Sequence, residues 1–319
     1  MASPEVTVVI CCYTEQRWDD VLAAVDSAQK QQLAPAEVLV VVDHNDALAE
    51  RLRRQWAGSP VVRVLTSEHP RGLSGARNTG VEAARGDIVA FLDDDAVADE
   101  EWLSRLTECY DEPHVLGVGG RTLPVWASGG RPRWYPEEFD WVHGASYRGM
   151  PSGRARVRNV LGGNASFRRG VLEAVGGFDT GIGRGAEDGG RVRPLGGEET
   201  ELCIRAQQRD PSAVFLFEGR AVIHHKVPLE RERFAYLVTR CWAEGISKAM
   251  VAGRVGAGDG LATERRYVTR VLPAGVLSGL RQAAHGDPAG LGRAGAIVGG
   301  ALAAAAGYAA GSLRLGGRG

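Results

Sequence analysis

Three consecutive aspartates, Asp93, Asp94 and Asp95, follow the apolar run Ile88–Leu92 without a spacer. In open α/β sheets ligands bind at the carboxyl ends of the strands, and carboxylates there can hold Mg2+ or Mn2+ against a phosphate. Two other apolar runs end in polar groups of the same kind: Tyr13 and Glu15 after the first, Asp43, Asn45 and Asp46 after the second. All three sets could face one ligand, although turn and helix-cap chemistry also places Asp and Asn at strand ends. The segment Gly72-Leu73-Ser74-Gly75-Ala76-Arg77-Asn78 opens a helical pattern, where backbone N–H groups and Arg77 could meet a phosphate. It is neither a P-loop nor a G-x-G-x-x-G fingerprint, so ATPase and nicotinamide chemistry lose their main support.

The elements that must position these groups read as an α/β fold. VTVVIC (6–11), VLVVV (38–42), VVRVL (61–65) and IVAFL (88–92) are continuous apolar runs of strand length, as expected of parallel strands buried on both faces. Between them Trp18, Val21, Leu22 and Val25, then Leu48, Leu52 and Trp56, then Trp102, Leu103 and Leu106 recur at helical spacing. From about 117 to 160 the text turns rich in Gly, Pro, Arg and Trp, which predicts long loops packed on the sheet. Short strands are expected at 157–161 and 214–217, around a Gly-rich flexible stretch at 181–197, and a helix is expected over about 230–252.

Composition narrows the function. The 319 residues are 44% hydrophobic and 24% charged, with a formal net charge of −1, as in ordinary globular proteins. Near-zero charge removes the attraction that would hold a nucleic acid without regard to sequence, so none is expected as a partner. Five cysteines without a C-x-x-C pair indicate neither a disulfide framework nor a zinc site. The start, MASPEVTVV, does not read as a signal peptide, and a cytoplasmic location is expected. Residues 294–313 carry no charge over the length of a membrane span, yet are mostly Ala and Gly. Contact with the inner face of the cell membrane and a buried or dimer-forming helix are both open readings of this tail.

The segments VVICCYTEQ, VVVDHND, GLSGARNTGVEAARGDIVAFLDDDA, GGNASFRRGVLEAVGGFD and GGEETELCIR, in that order over most of 6–225, resemble inverting glycosyltransferases of family 2. DWVHGASYRGMP, HHKVP and EGISKA look closest to a membrane-associated branch labelled glucosyl-dolichyl phosphate glucuronosyltransferase. The resemblance implies a GT-A fold: a Rossmann-like, mostly parallel sheet with helices on both faces and a C-terminal helical extension. It implies a catalytic domain over 1–228, with a nucleotide-binding half (1–116) and an acceptor half (117–228), and an extension over 229–319.

The resemblance also implies roles. Tyr13, Glu15 and Asp43 would surround the nucleotide base, Arg77 would lie near the pyrophosphate, and Asp93 or Asp94 would meet the ribose. Asp95 would bind the metal together with His224, His225 being the neighbouring candidate. An imidazole ligand favours Mn2+ over Mg2+. Glu199, with Glu198 as competitor, would be the general base where the family commonly has Glu-Asp. Gly163, Asn164 and Arg168 resemble the segment lining the donor sugar, and Trp141 and Tyr147 could stack on a sugar ring. A nucleoside diphosphate is already a good leaving group, so one carboxylate acting on the acceptor hydroxyl suffices, where a glycoside hydrolase needs two. The expected donor is a UDP-sugar. The acceptor is expected to be a polyprenyl-phosphate-linked glycan, or else a diffusible natural product or metabolite. A sugar nucleotidyltransferase would carry a Gly-rich basic loop where this chain has Cys11-Cys12-Tyr13-Thr14-Glu15. A non-catalytic nucleotide-sugar-binding partner would not need both the triplet and the glutamate pair.

Overall fold

In a computed structural model, which describes residues 4–188, 191–256, 258 and 264–316, the four apolar runs are Val6–Cys12 (β1), Glu37–Val42 (β2), Val62–Thr66 (β3) and Ile88–Asp93 (β4). They pair in parallel, in the order β3-β2-β1-β4. Side-chain alternation sends Val8, Ile10, Val38 and Val40 to one face, under Trp18–Gln29 (α1), Asp46–Gln55 (α2) and Trp102–Thr107 (α4). Val9, Leu39, Val41 and Phe91 go to the other, under Leu73–Ala83 (α3), Arg169–Ala174 (α5) and Glu198–Arg209 (α6). α3 sits close because Gly80 faces the sheet: a Cβ there would lie 2.5 Å from a Val9 methyl.

The sheet continues beyond β4 through Asn164–Arg168 (β8), Val115–Trp126 (β6), Val214–Val227 (β11) and Ala96–Ala98 (β5), with Ala155–Val157 (β7) also on β11. β8 runs antiparallel to β4, and β5 and β7 run antiparallel to β11. The strand expected at 157–161 is thus displaced to Ala155–Val157. The chain beyond it must pass tightly under two side chains: a Cβ on Gly162 would lie 2.8 Å from both terminal nitrogens of Arg77, and one on Gly163 would overlap the Asp93 carboxylate. The stretch expected to be flexible holds a two-stranded sheet, Arg184–Asp188 (β9) and Arg191–Pro194 (β10); Gly189 and Gly190 lie outside the described residues.

The chain divides into two compact units. One comprises residues 1–122, 151–193 and 198–225; the other comprises 123–150, 194–197 and 226–319. The segment 123–150, expected as loops on the sheet, therefore belongs to a second core. Trp126, Tyr135, Phe139 and Val142 pack there with Leu237 and Cys241 of Phe234–Val255 (α7), Leu272 of Leu272–Ala284 (α8), and Ala296 and Ile297 of Ala289–Gly316 (α9). The expected late helix is α7, preceded by a 3-10 turn at Leu229–Glu232. α9 meets α7 through small residues: a Cβ on Gly311 would lie 2.8 Å from the Cβ of Ala249.

Candidate active site

The parallel register fixes the rim. Cys11 lies opposite both Val41 and Asp93, so the residues after these strands, Tyr13, Asp43 and Asp94, emerge together. Tyr13 is exposed, and its carbonyl accepts from Asn45 Nδ2 at 3.2 Å. Glu15 is exposed in a 3-10 turn, Glu15–Arg17, capped by Thr14. Asp43 is half-buried; its Oδ2 accepts from Gly72 N at 3.0 Å and its Oδ1 lies 2.7 Å from His44 Nδ1. That bond ties the end of β2 to the start of α3.

The triplet divides among different partners. Asp94 is buried and bonds Arg17 Nη1 at 2.6 Å, while its Oδ2 has no hydrogen-bond partner among the described residues. Burial pushes its carboxyl up to about 7, although Arg17 opposes the shift. Asp95 lies 3.2 Å from Arg17 Nη2 through one oxygen and 2.9 Å from His225 Nε2 through the other. Asp93 Oδ2 is 3.7 Å from the same imidazole nitrogen. Burial works against a protonated His225, yet Asp95 and Asp93 outweigh it and raise its pKa. The ligand atoms of Asp93, Asp95 and His225 all lie within 4.8 Å of one another. Two carboxylate oxygens and an imidazole nitrogen form a donor set suited to Mn2+ and compatible with Mg2+.

His224 does not join this group. β11 pairs with β5 so that His225 is opposite Ala96, next to Asp95, and His224 is opposite Val97. Successive side chains of a strand point to opposite faces, and His224 instead meets Asp99 at 3.0 Å.

Arg77 is buried at 3% exposure and donates to Glu198 Oε1 at 2.9 Å, 121 residues away in sequence. Its guanidinium lies 5.5 Å from the Phe91 ring centroid and 5.4 Å from that of Phe178. Glu198 is buried too; Glu199, next in the first turn of α6, is half-buried. Of the residues expected along the donor sugar, Gly163 sits against Asp93 as described. Asn164 is fully buried, accepting from Trp102 Nε1 at 2.7 Å and donating to the Arg121 and Ala221 carbonyls. Arg168 donates to the carbonyls of Val115, Tyr110 and Glu112, holding the start of β6. Trp141 and Tyr147 belong to the second unit, where Trp141 Nε1 donates to Tyr267 Oη at 3.0 Å and the Tyr147 ring meets that of Tyr267 edge-on.

Sequence reasoning missed Arg17 and Arg71. Three adjacent carboxylates call for a cation, and Arg17 stands two residues after Glu15 on the same rim. Arg71, just before the tight Gly72 turn, donates to the His44 carbonyl at 3.3 Å and remains exposed.

The family description "Glycosyl transferase family 2" matches residues 7–176. The chain is 33% identical over 248 residues to a Haloferax volcanii protein named glucosyl-dolichyl phosphate glucuronosyltransferase, covering 77% of each chain. Among solved structures it is similar to a mannosyltransferase from Pyrobaculum calidifontis in complex with GDP-Man and Mn2+, with a TM-score of 0.57 and 18% identity, over 95% of this chain and 87% of that one. It also resembles GalNAc-T7 with UDP, GalNAc and Mn2+, with a TM-score of 0.54 and 18% identity, over 75% of this chain and 47% of that one. These likenesses bear out the GT-A fold. The chain belongs to glycosyl transferase family 2 and is a glycosyltransferase.

Proposed function

We propose that the protein transfers a sugar from a UDP-linked donor to an acceptor hydroxyl, with inversion at the anomeric carbon and with a divalent cation, Mn2+ before Mg2+. The observation that carries this reading is the convergence of Asp93, Asp95 and His225 on the rim where Tyr13 and Asp43 also emerge. Asp93, Asp95 and His225 would hold the cation, which when bound neutralises charge developing on the diphosphate. Tyr13, Glu15 and Asp43 contact the base, and Asp94, kept in place by Arg17, lies towards the ribose.

Glu199 acts as general base. Its carboxylate takes the proton of the acceptor hydroxyl as the new bond to the anomeric carbon forms on one face; the bond to the phosphate oxygen breaks on the other, and the nucleoside diphosphate leaves with that electron pair. Glu198 is less suited, because it is buried where Glu199 is half-buried and in reach of an acceptor. For the acceptor, a polyprenyl-phosphate-linked glycan is supported by the name of the Haloferax relative and by the C-terminal helix, which carries no charge over 294–313. Catalysis then takes place at the cytoplasmic face of the membrane.

Calorimetry with UDP, GDP, dTDP and CMP, with and without Mn2+, tests the site. UDP is expected to bind only with Mn2+, and Asp95→Ala to weaken that binding at least ~10-fold. Preference for another nucleotide would replace the donor; no binding by any of the four would overturn the reading.

A further inference from the structure

We propose that Arg77 and Glu198 form a buried positioning pair that sets the Glu199 carboxylate for proton transfer, and that Arg77 is not a ligand of the donor phosphates. The inference rests on Glu199 as the base and assigns its neighbours a task. Both members of the pair are almost fully enclosed, with side-chain exposures of 4% and 5%, and they meet at 2.9 Å. A phosphate-binding arginine must keep donor N–H groups turned towards the ligand. Here the guanidinium is flanked by Phe91 and Phe178, leaves no room for a Cβ on Gly162, and gives an N–H to Glu198.

The pair lies where positioning would matter. Glu198 is the first residue of α6, so holding its side chain fixes the backbone from which Glu199 projects. Arg77 comes from the middle of α3, a helix whose residues Ser74–Val81 are all buried. α3 is held at its other contacts by Asp43 to Gly72 N, by Ser74 Oγ to the Ile182 carbonyl at 2.7 Å, and by Asn78 to the backbone of Phe178. The base is thereby referenced to the same helix that β2 locks through Asp43. Burial works against the charged guanidinium of Arg77, and three acids offset it, Glu198 foremost, then Asp93 and Glu199. Loss of the Glu198 charge would leave Arg77 to draw Glu199 towards itself, away from the acceptor. A displacement of about an ångström at a reacting group can cost ~10²-fold in rate.

The test uses the full-length protein and the variants Arg77→Lys, Glu198→Gln, their combination, and Glu199→Gln as reference. The expected result for each single variant of the pair is a fall in kcat of ~10²-fold, with the Kd for UDP in the presence of Mn2+ within about twofold of wild type. The combined variant should be no slower than the worse single one, because both act through the same carboxylate. Melting temperatures identify any variant that has simply lost its fold; for such a position Arg77→Met with Glu198→Leu, which replaces the buried pair by apolar groups, serves instead. Tenfold or greater loss of UDP affinity in Arg77→Lys with Glu198→Gln unaffected would make Arg77 a phosphate ligand and overturn the proposal. Multiplying kcat losses in the combined variant would overturn it as well. A Glu199→Gln enzyme of near-normal kcat would sink the assignment of the base, a different result from either of these.

Discussion

Adjacent residues of an extended strand point to opposite faces, and that parity alone separates His224 from His225. The sequence narrows the imidazole to this pair but cannot choose, because the choice depends on how β11 is registered against β5. With His225 opposite Ala96, its ring meets Asp95 and Asp93, while His224 forms an exposed pair with Asp99. His225→Ala is accordingly expected to lower Mn2+ affinity by at least ~10-fold, and His224→Ala to leave it within about twofold, read by Mn2+ titration followed by electron paramagnetic resonance. Equal effects, or a larger one at His224, would contradict the observed pairing. The triplet was legible because a parallel strand buried on both faces reads as an unbroken apolar run, so its end is visible. Arg77 was legible as a charge but not as a buried one. α3 consists largely of small residues, without the polar and apolar stripes that would betray which side faces inward, and its partner Glu198 comes from a distant helix.

At the scale of elements, the first four strands and their helices were readable, and the middle of the chain was readable only in part, the strand expected at 214–217 being the start of β11. Strands β6 and β11, of 12 and 14 residues, are only partly marked by the continuous apolar runs of β1, β2 and β4, because glycines and polar or charged residues interrupt both. Gly117 illustrates the reason: a Cβ there would lie 2.8 Å from the Phe167 ring and 2.9 Å from that of Phe215, so the core needs the residue that weakens the strand signal. Further along, β11 holds a buried carboxylate, Glu218, between Arg154 at 2.8 Å and Arg220 at 2.9 Å. Burial alone would raise its pKa, but the hydrogen bonds from Arg220 and Arg154 bring it down to about 2 from its ordinary 4.5. A depressed carboxylate binds fewer protons folded than unfolded; its contribution is therefore present in full above pH 4.5 and is lost as the pH falls towards 2. Urea midpoints of wild type and Glu218→Gln should be well separated at pH 6 and converge as the pH drops through that window. A separation independent of pH would remove the ion pairs from the account of this strand.

On the scale of the whole molecule, a net charge of −1 conceals an uneven distribution: residues 229–319 contain twelve Lys and Arg against six Asp and Glu. Arg231, Arg233, Arg265, Arg266, Arg270 and Arg281 are among them, a supply of positive charge suited to an anionic lipid surface. The same region carries α9, long enough and apolar enough to cross a bilayer over Ala289–Leu313, although part of that stretch is buried. Its inward face is committed: Gly245 and Gly307 bring α7 and α9 into backbone contact, and Gly300 packs on Phe139 and Cys241. Crossing a membrane alone would strip α9 from α7 and expose that core. Its outward face, by contrast, presents Leu291, Val298 and Leu302, and α8 adds Leu277 and Leu280. An apolar helical face beside basic residues fits a helix lying in the interfacial plane, inserted by its outer surface while its inner surface stays packed. Placing charge on that face without touching the inner one separates the two geometries from loss of folding. Val298→Glu with Leu302→Glu is expected to retain the wild-type melting temperature and to lose sedimentation with vesicles containing anionic lipid, whereas wild type sediments with them and is released by high salt. Wild-type protein that stays in the supernatant with such vesicles would exclude lipid contact through α8 and α9. Binding that resists both salt and the paired substitution would show that α9 leaves α7 and spans.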